Sequence, residues 1–114
     1  MQKRQNNARA EKIASKVQTL VAEILRDKYN DDKILSGVSL VDAKSHGGFE
    51  FVRLYFYSRT DGKVAETKLN AIAKNIRYEL AGRLNQKYVP ELQFVYDDTL
   101  ERANRIEELL NNLN

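Results

Sequence analysis

The sequence predicts an α+β fold in which three strands form a mixed sheet and helices cover one of its faces. Three features of the 114-residue chain predict it. Apolar residues recur at helical spacing in three segments, two segments of strand character flank the pair Gly47-Gly48, and Pro90 separates a helical segment from a strand. A chain of this length has room for little more than one core, so we expect one domain over residues 1–114.

The first helix is expected from about Asn7 to about Lys28. Asn30, Asp31 and Asp32 follow it and end it, because these residue types favour turns. Residues 1–6 are expected to be flexible. The apolar residues of the helix recur every three or four positions and are Ile13, Val17, Leu20, Val21, Ile24 and Leu25.

Two strands are expected next, at Leu35–Ala43 and Phe49–Tyr57. His46-Gly47-Gly48 predicts the hairpin turn between them, because adjacent glycines readily take positive φ. In the second strand, side chains of opposite faces alternate. One face carries Val52, Leu54 and Phe56; the other carries Phe51, Arg53, Tyr55 and Tyr57. Stacking on nucleic-acid bases is one interpretation of the second face. Half-buried sheet surface, or a surface covered by the C-terminal helix, is the more common one.

The middle of the chain predicts one long helix, or two helices joined by a kink. Pro90 ends this element, since the residue before a proline disfavours the α region. A third strand is expected over Glu91–Tyr96, and a C-terminal helix over residues 99–113 with Asp97, Asp98 or Thr99 as its cap. The central positions of the apolar stripes should be buried together, and these are Ile24, Leu54, Ile76 and Leu80.

The predicted order α-β-β-α-α-β matches the bacterial-type, or type II, KH topology, which is an RNA-binding fold. A usual KH domain grips the RNA backbone with a Gly-x-x-Gly loop between two helices. That loop is absent here, because Gly82 is the only glycine between Lys63 and Tyr88. The fold is therefore expected to be KH-like without the usual grip.

Composition argues against several classes of function. The chain has no Cys and one His, His46, so a thiolate or zinc site is not expected, nor any other cofactor. No apolar run approaches the roughly 20 residues that span a bilayer, and the polar N-terminus shows no signal peptide, which favours a cytoplasmic protein. The pairs Asp31-Asp32 and Asp97-Asp98 fit helix boundaries better than acid–base catalysis, so we expect no enzyme.

The net charge of +3 is unevenly distributed. Residues 1–16 and residues 63–90 each carry +4, whereas residues 91–114 carry −4. Basic blocks attract polyanions by releasing condensed counterions. Either block alone is more often ordinary solvated surface. The two together point to nucleic acid only if they share a face of the folded molecule.

The chain from residue 8 to residue 110 also resembles a known family. The densest part of the pattern contains Ile76-Arg77, Glu79-Leu80, Arg83-Leu84, Lys87, Val89-Pro90-Glu91-Leu92-x-Phe94, Tyr96-Asp97, Thr99, Glu101, Arg105-Ile106 and Leu109-Leu110. The apolar register of the first helix and the segment Val52-x-Leu54-Tyr55-Phe56 fit as well. Together they resemble the ribosome-binding factor A family.

Two segments depart from the family pattern. Asp31-Asp32-Lys33-Ile34 stands where the family has Asp-Pro-Arg-Leu, so lysine replaces the planar fork of arginine. Ile72-Ala73-Lys74 stands where the family has an Ala-x-Gly kink between two helices. Asn75, which tolerates left-handed φ, is a candidate for that bend.

The resemblance implies a non-enzymatic protein that binds the small ribosomal subunit and its ribosomal RNA late in assembly. It also implies a link to processing near the 5′ end of that RNA and to cold adaptation. We further expect a monomer that binds neither a membrane nor a small-molecule substrate. The basic residues expected to contact RNA are Lys3, Arg4, Arg9, Lys12, Lys16, Lys74, Arg77, Arg83 and Lys87. Arg83 and Lys87 clear the core only if their helix kinks or ends first. The alternative function is a protein–protein adaptor that docks its C-terminal amphipathic helix into a groove.

Overall fold

The computed structural model describes the backbone of residues 2–48 and 50–113, with side chains from residue 8 onward. Phe49, which the prediction placed at the start of a strand, lies outside the described residues. Within these ranges the chain has four α-helices, one short 3-10 helix and three strands. In order they are α1 (Gln2–Lys28), the 3-10 helix (Leu35–Gly37), β1 (Val38–His46), β2 (Phe51–Ser58), α2 (Gly62–Ala71), α3 (Ala73–Arg83), β3 (Glu91–Tyr96) and α4 (Thr99–Asn112).

The sheet is mixed, as predicted. β1 and β2 are antiparallel, β2 and β3 are parallel, and the strand order is β1-β2-β3. Gly47 and Gly48 turn the chain between β1 and β2 with φ of 62° and 71°. This left-handed backbone is open to glycine without a steric penalty, which confirms the predicted hairpin turn.

The helix α1 begins at Gln2, earlier than the predicted Asn7. Apolar periodicity marks only the part of a helix that faces a core, and burial on α1 is found from Ala10 onward. The first turns are polar, yet they lack proline and glycine and include good helix formers. Met1 and the side chains of residues 2–7 lie outside the described part, so the flexibility expected for residues 1–6 stays a prediction.

The strand β1 begins and ends three residues later than the predicted Leu35–Ala43. The later start has its reason in Asp32, whose Oδ1 accepts hydrogen bonds from the backbone N–H groups of Ile34 and Leu35 at 2.9 and 3.0 Å. This turn keeps the chain coiled through Gly37, although Ile34-Leu35 looks like the start of a strand. The later end follows from pairing with β2, which continues to His46 opposite Phe51. A bulge between Leu40 and Asp42 then shifts the register within β1.

The core lies between the sheet and the three helices α1, α2 and α3. The predicted core residues Ile24, Leu54, Ile76 and Leu80 each have 0% exposure, which confirms that their elements pack together. Phe56 and Phe94 fill the same layer from neighbouring strands. The helices cover one face of the sheet, and none of the described helices packs on the face that carries Arg53.

The middle of the chain forms two helices, α2 and α3, with a bend at Ile72. This residue has φ of −104° and ψ of 9°, and its N–H reaches the carbonyl oxygens of Lys68 and Leu69, both at 3.2 Å. The negative φ requires no glycine, which explains how this chain bends without one. The bend lies where the family resemblance indicated, and Asn75 is an interior residue of α3 rather than the bend.

The C-terminal helix α4 differs from the others, because none of its residues is buried. Its first turn is held by Asp97, whose Oδ1 accepts from the N–H of Thr99 at 3.0 Å. Tyr96 adds a second tie, since its hydroxyl donates to Glu101 at 2.7 Å. Beyond this first turn, every residue of α4 is exposed.

Candidate nucleic-acid interface

Three basic residues of α1 lie on the flank of the helix that faces α3. The guanidinium of Arg83 in α3 lies 3.1 Å from a carboxylate oxygen of Asp27 and 3.8 Å from one of Glu23, and these contacts identify the flank. At about 100° per residue, three basic side chains fall within about 40° of Glu23 around the helix axis. They are Arg9, Lys12 and Lys16, all of them exposed.

These three residues lie closer to the start of α1 than the acidic pair does. At about 1.5 Å per residue, Lys16 is about 10 Å and Arg9 about 21 Å from Glu23 along the axis. Among the described side chains, no ion pair involves any of the three basic residues. We call Arg9, Lys12 and Lys16 the α1 strip.

Arg83 itself is already paired. Its side chain is 27% exposed and is held between Glu23 and Asp27, so α3 is tied to α1. Its positive charge is therefore largely neutralised within the molecule. Of the residues predicted to contact RNA, Arg83 has the strongest structural role.

Lys74 and Arg77 lie on another flank of α3. Around the helix axis, Arg77 is about 120° from Arg83. Both are exposed. The Nη2 of Arg77 donates to the carbonyl oxygen of Val89 at 2.8 Å, which ties α3 to the loop before β3. Lys74 has no ion-pair partner in the described part of the chain. We call Lys74 and Arg77 the α3 strip.

Lys87 lies in the loop between α3 and β3, because α3 ends at Arg83. It is exposed, which confirms that it clears the core. Its Nζ lies 5.5 Å from the ring centroid of Tyr88, a distance that allows a cation–π contact. Tyr88 itself is 72% exposed.

Two exposed tyrosines were missed as candidate site residues. Tyr88 accompanies Lys87, and Tyr78, which is 81% exposed, follows Arg77 on α3. Aromatic rings beside lysine or arginine provide stacking surfaces for unpaired bases. The exposure of Tyr78 can be predicted from a helical wheel of α3, because Tyr78 lies on the side opposite the buried Ile76 and Leu80.

The structure thus places six of the nine predicted residues in two strips and a loop, and it pairs Arg83 with carboxylates of α1. The α1 strip faces the side where α3 lies, and Glu23 and Asp27 separate its basic charge from the end of α1. The α3 strip faces the loop before β3. Lys3 and Arg4 lie outside the part of the chain whose side chains are described.

The open face of the sheet is the other aromatic and basic surface. Phe51, Arg53, Tyr55 and Tyr57 are half-buried, as the more common interpretation of that strand predicts. Arg53 donates through Nε to Gln93 at 3.0 Å and lies 6.0 Å from the ring centroid of Phe51. The interpretation that the C-terminal helix covers this face is wrong, because none of the residues of α4 is buried.

The paired carboxylates act as turn and cap groups. A hydrogen bond from Lys68, at 2.6 Å, is the main cause that lowers the pKa of Asp32, and backbone N–H groups add to it. The hydroxyl and N–H of Thr99 likewise lower the pKa of Asp97. Carboxyl groups with lowered pKa stay ionised near neutral pH and are poorly suited to donate protons.

Two further observations concern ligands and membranes. No cluster of three or more His, Asp or Glu side chains suited to a metal ion occurs in residues 8–48 and 50–113. None of the described helices is long and apolar enough to span a bilayer.

Comparison with known proteins identifies the family. The family model for ribosome-binding factor A matches residues 9–110. The chain belongs to the ribosome-binding factor A family. Among its curated relatives, the ribosome-binding factor A of Streptococcus sanguinis (strain SK36) is 29% identical over 112 residues, which are 95% of this chain and 96% of the relative. That of Streptococcus agalactiae is 29% identical over 111 residues, with coverage of 94% and 95%.

Solved structures show that the family fold is shared. The crystal structure of ribosome-binding factor A from Thermus thermophilus aligns with a TM-score of 0.70 at 15% identity, over 76% of this chain and 93% of that one. A Thermus thermophilus homology model, fitted into a cryo-electron microscopy map of a 30S complex, aligns with a TM-score of 0.65 at 12% identity. It covers 77% of this chain and 94% of that one. The α+β fold of KH-like topology is therefore the fold of this family.

Proposed function

We propose that this protein is a non-enzymatic assembly factor that binds the small ribosomal subunit and its ribosomal RNA during late maturation. Membership in the ribosome-binding factor A family carries the proposal. The exposed charges of the α1 strip, the α3 strip and Lys87, which form no ion pair among the described side chains, support it, because such groups provide phosphate contacts on folded RNA. The protein acts in the cytoplasm as a monomer with a single KH-like domain over residues 1–114.

The mode of RNA binding follows from the missing Gly-x-x-Gly loop and from the two exposed basic strips. Without a Gly-x-x-Gly loop, the two strips hold the RNA by charge and shape, as is usual for folded RNA. Tyr78 and Tyr88 add stacking surfaces for bases near the α3 strip and Lys87. This binding acts in processing near the 5′ end of the ribosomal RNA and in adaptation to cold.

Co-sedimentation with purified ribosomal subunits tests the proposal. We expect the protein to pellet with small subunits, not with large ones, and to dissociate steeply as the salt concentration rises. Lys12→Glu with Lys16→Glu should weaken this binding, because two phosphate contacts are replaced by repulsion. Equal binding to both subunits, or none to either, would contradict the proposal.

A control pair separates this effect from a change in net charge. Lys33 and Lys63 are both exposed and lie at the end of the sheet where β2 finishes, away from the start of α1. Lys33→Glu with Lys63→Glu changes the net charge by the same amount. Binding should stay close to that of the unchanged protein.

A further inference from the structure

The helix α4 presents an apolar stripe that has no partner in the described part of the molecule. Ile106, Leu109 and Leu110 are 57%, 61% and 58% exposed, and Leu113, which caps the helix, is 81% exposed. With Ala103 they recur every three or four residues, so they lie on one side of the helix. We call these five residues the α4 stripe.

The charge of α4 disfavours RNA as the occupant of this stripe. Residues 97–112 hold five carboxylates and two arginines. Both arginines are already in ion pairs one turn apart, Arg102 with Asp98 and Arg105 with Glu101, each at 3.0 Å. Glu107 and Glu108 have no ion-pair partner in the described part of the chain, so the helix presents negative charge around its apolar side.

A second copy of this chain and the chain's own sheet fit less well. Two α4 helices would bring like charges together, because each helix presents Glu107 and Glu108 beside its apolar side. The tie between Tyr96 and Glu101 fixes the base of α4 with its stripe away from the core. The occupant that complements both features is an apolar groove bordered by lysine or arginine.

We propose that the α4 stripe docks into an apolar groove with a basic border on a protein of the small ribosomal subunit. The inference rests on the proposed function, because it assumes that the subunit is the binding partner. In this arrangement the basic strips bind RNA and the acidic helix binds a basic protein. The helix lies in the groove through residues one and two turns apart.

Binding to two forms of the target tests the inference: intact small subunits and the same ribosomal RNA stripped of protein. Ile106→Gln with Leu110→Gln removes the centre of the stripe and keeps good helix formers. Asn104→Gln with Asn112→Gln is the matched control without a change of charge, since these positions lie on the opposite side of the helix from the first pair. Circular dichroism and sedimentation equilibrium of each protein report helix content and self-association.

We expect the stripe variant to bind intact subunits about tenfold more weakly, with unchanged binding to stripped RNA. The control variant should match the unchanged protein on both targets. Undiminished binding of the stripe variant to intact subunits would overturn the inference. So would an equal loss on stripped RNA, or a dimer of the unchanged protein that the stripe substitutions abolish.

A cross-linking experiment identifies the neighbour of the stripe directly. A photoreactive diazirine analogue of leucine at position 109 should cross-link to a ribosomal protein within intact small subunits. Cross-links to ribosomal RNA alone, or to a second copy of the chain, would overturn the inference. If the unchanged protein does not bind small subunits at all, the proposed function fails first, and the two failures are thereby distinguished.

Discussion

Gly62 and Gly82 lie in α-helices, and the space around them predicts opposite effects of one substitution. A Cβ at Gly62 would collide with the ring of Tyr96, whereas a Cβ at Gly82 would meet nothing within 4 Å. We expect Gly62→Ala to lower the free energy of unfolding by about 1–3 kcal/mol, because Tyr96 must shift. Gly82→Ala should raise it by about 0.5–1 kcal/mol, because alanine favours a helix. Denaturant unfolding measures both, and a stabilised Gly62→Ala variant would contradict the packing of Tyr96.

Leu80 and Tyr78 make a second matched pair, on α3. Leu80 has 0% exposure and Tyr78 has 81%. Leu80→Ala should cost about 2–5 kcal/mol through lost contacts and a residual cavity. Tyr78→Ala should change stability by about 0.5 kcal/mol or less. A cost below about 1 kcal/mol for Leu80→Ala in denaturant unfolding would contradict its place in the core.

At the scale of elements, α4 is tied to the sheet by a titratable contact. The hydrogen bond from Tyr96 to Glu101 raises the pKa of Tyr96 to about 12, with burial as the second cause. Because the raised pKa favours the protonated phenol, this contribution to stability is complete below about pH 10 and is lost as the pH rises towards 12.

Ultraviolet titration of tyrosinate checks this contact. Tyr96 should titrate near pH 12, and Tyr96→Phe should remove that step. Glu101→Gln should lower the midpoint, because it removes the negative charge that opposes ionisation. An unchanged midpoint in Glu101→Gln would show that the hydrogen bond does not form in solution.

The ion pairs of Arg83 tie two other elements, α1 and α3. With Arg83 only 27% exposed, we expect Arg83→Gln to lower the free energy of unfolding by about 1 kcal/mol or less. Lys74→Gln on the same helix, with no such partner among the described residues, should have almost no effect. For the affinity to small subunits we expect the reverse: Lys74→Gln should lower it more than Arg83→Gln does. Equal stability of the two variants would argue against the tie.

The sequence predicted the type and order of the helices and strands, because the spacing of apolar residues indicates which residues face a core. It predicted β3 to the residue, since Pro90 and the alternation of Leu92, Phe94 and Tyr96 bound it. It misplaced β1, where a single side-chain oxygen of Asp32 keeps the chain turned. It also missed the first turns of α1, which are polar and precede the buried part of the helix.

At the scale of the whole molecule, the sequence located the basic blocks but not their arrangement. Arg83 and Asp27 are 56 residues apart, so their pairing depends on how α1 and α3 pack. That packing neutralises one predicted RNA contact and directs the α1 strip towards α3. Exposed charges have no periodic signal that reveals such a partner, which explains why Arg83 was grouped with Lys74 and Arg77.

The salt dependence of binding tests whether the two strips act as one surface. Each phosphate contact contributes about one unit to the slope of log affinity against log salt concentration. Lys12→Gln with Lys16→Gln should therefore flatten the slope by about two, and Lys74→Gln with Arg77→Gln by about two as well. If both strips bind the same RNA at once, the quadruple variant should lose about four. A quadruple variant no flatter than one of the double variants would show that only one strip meets the RNA, and the strip whose double variant already gives that slope would be the RNA-binding surface.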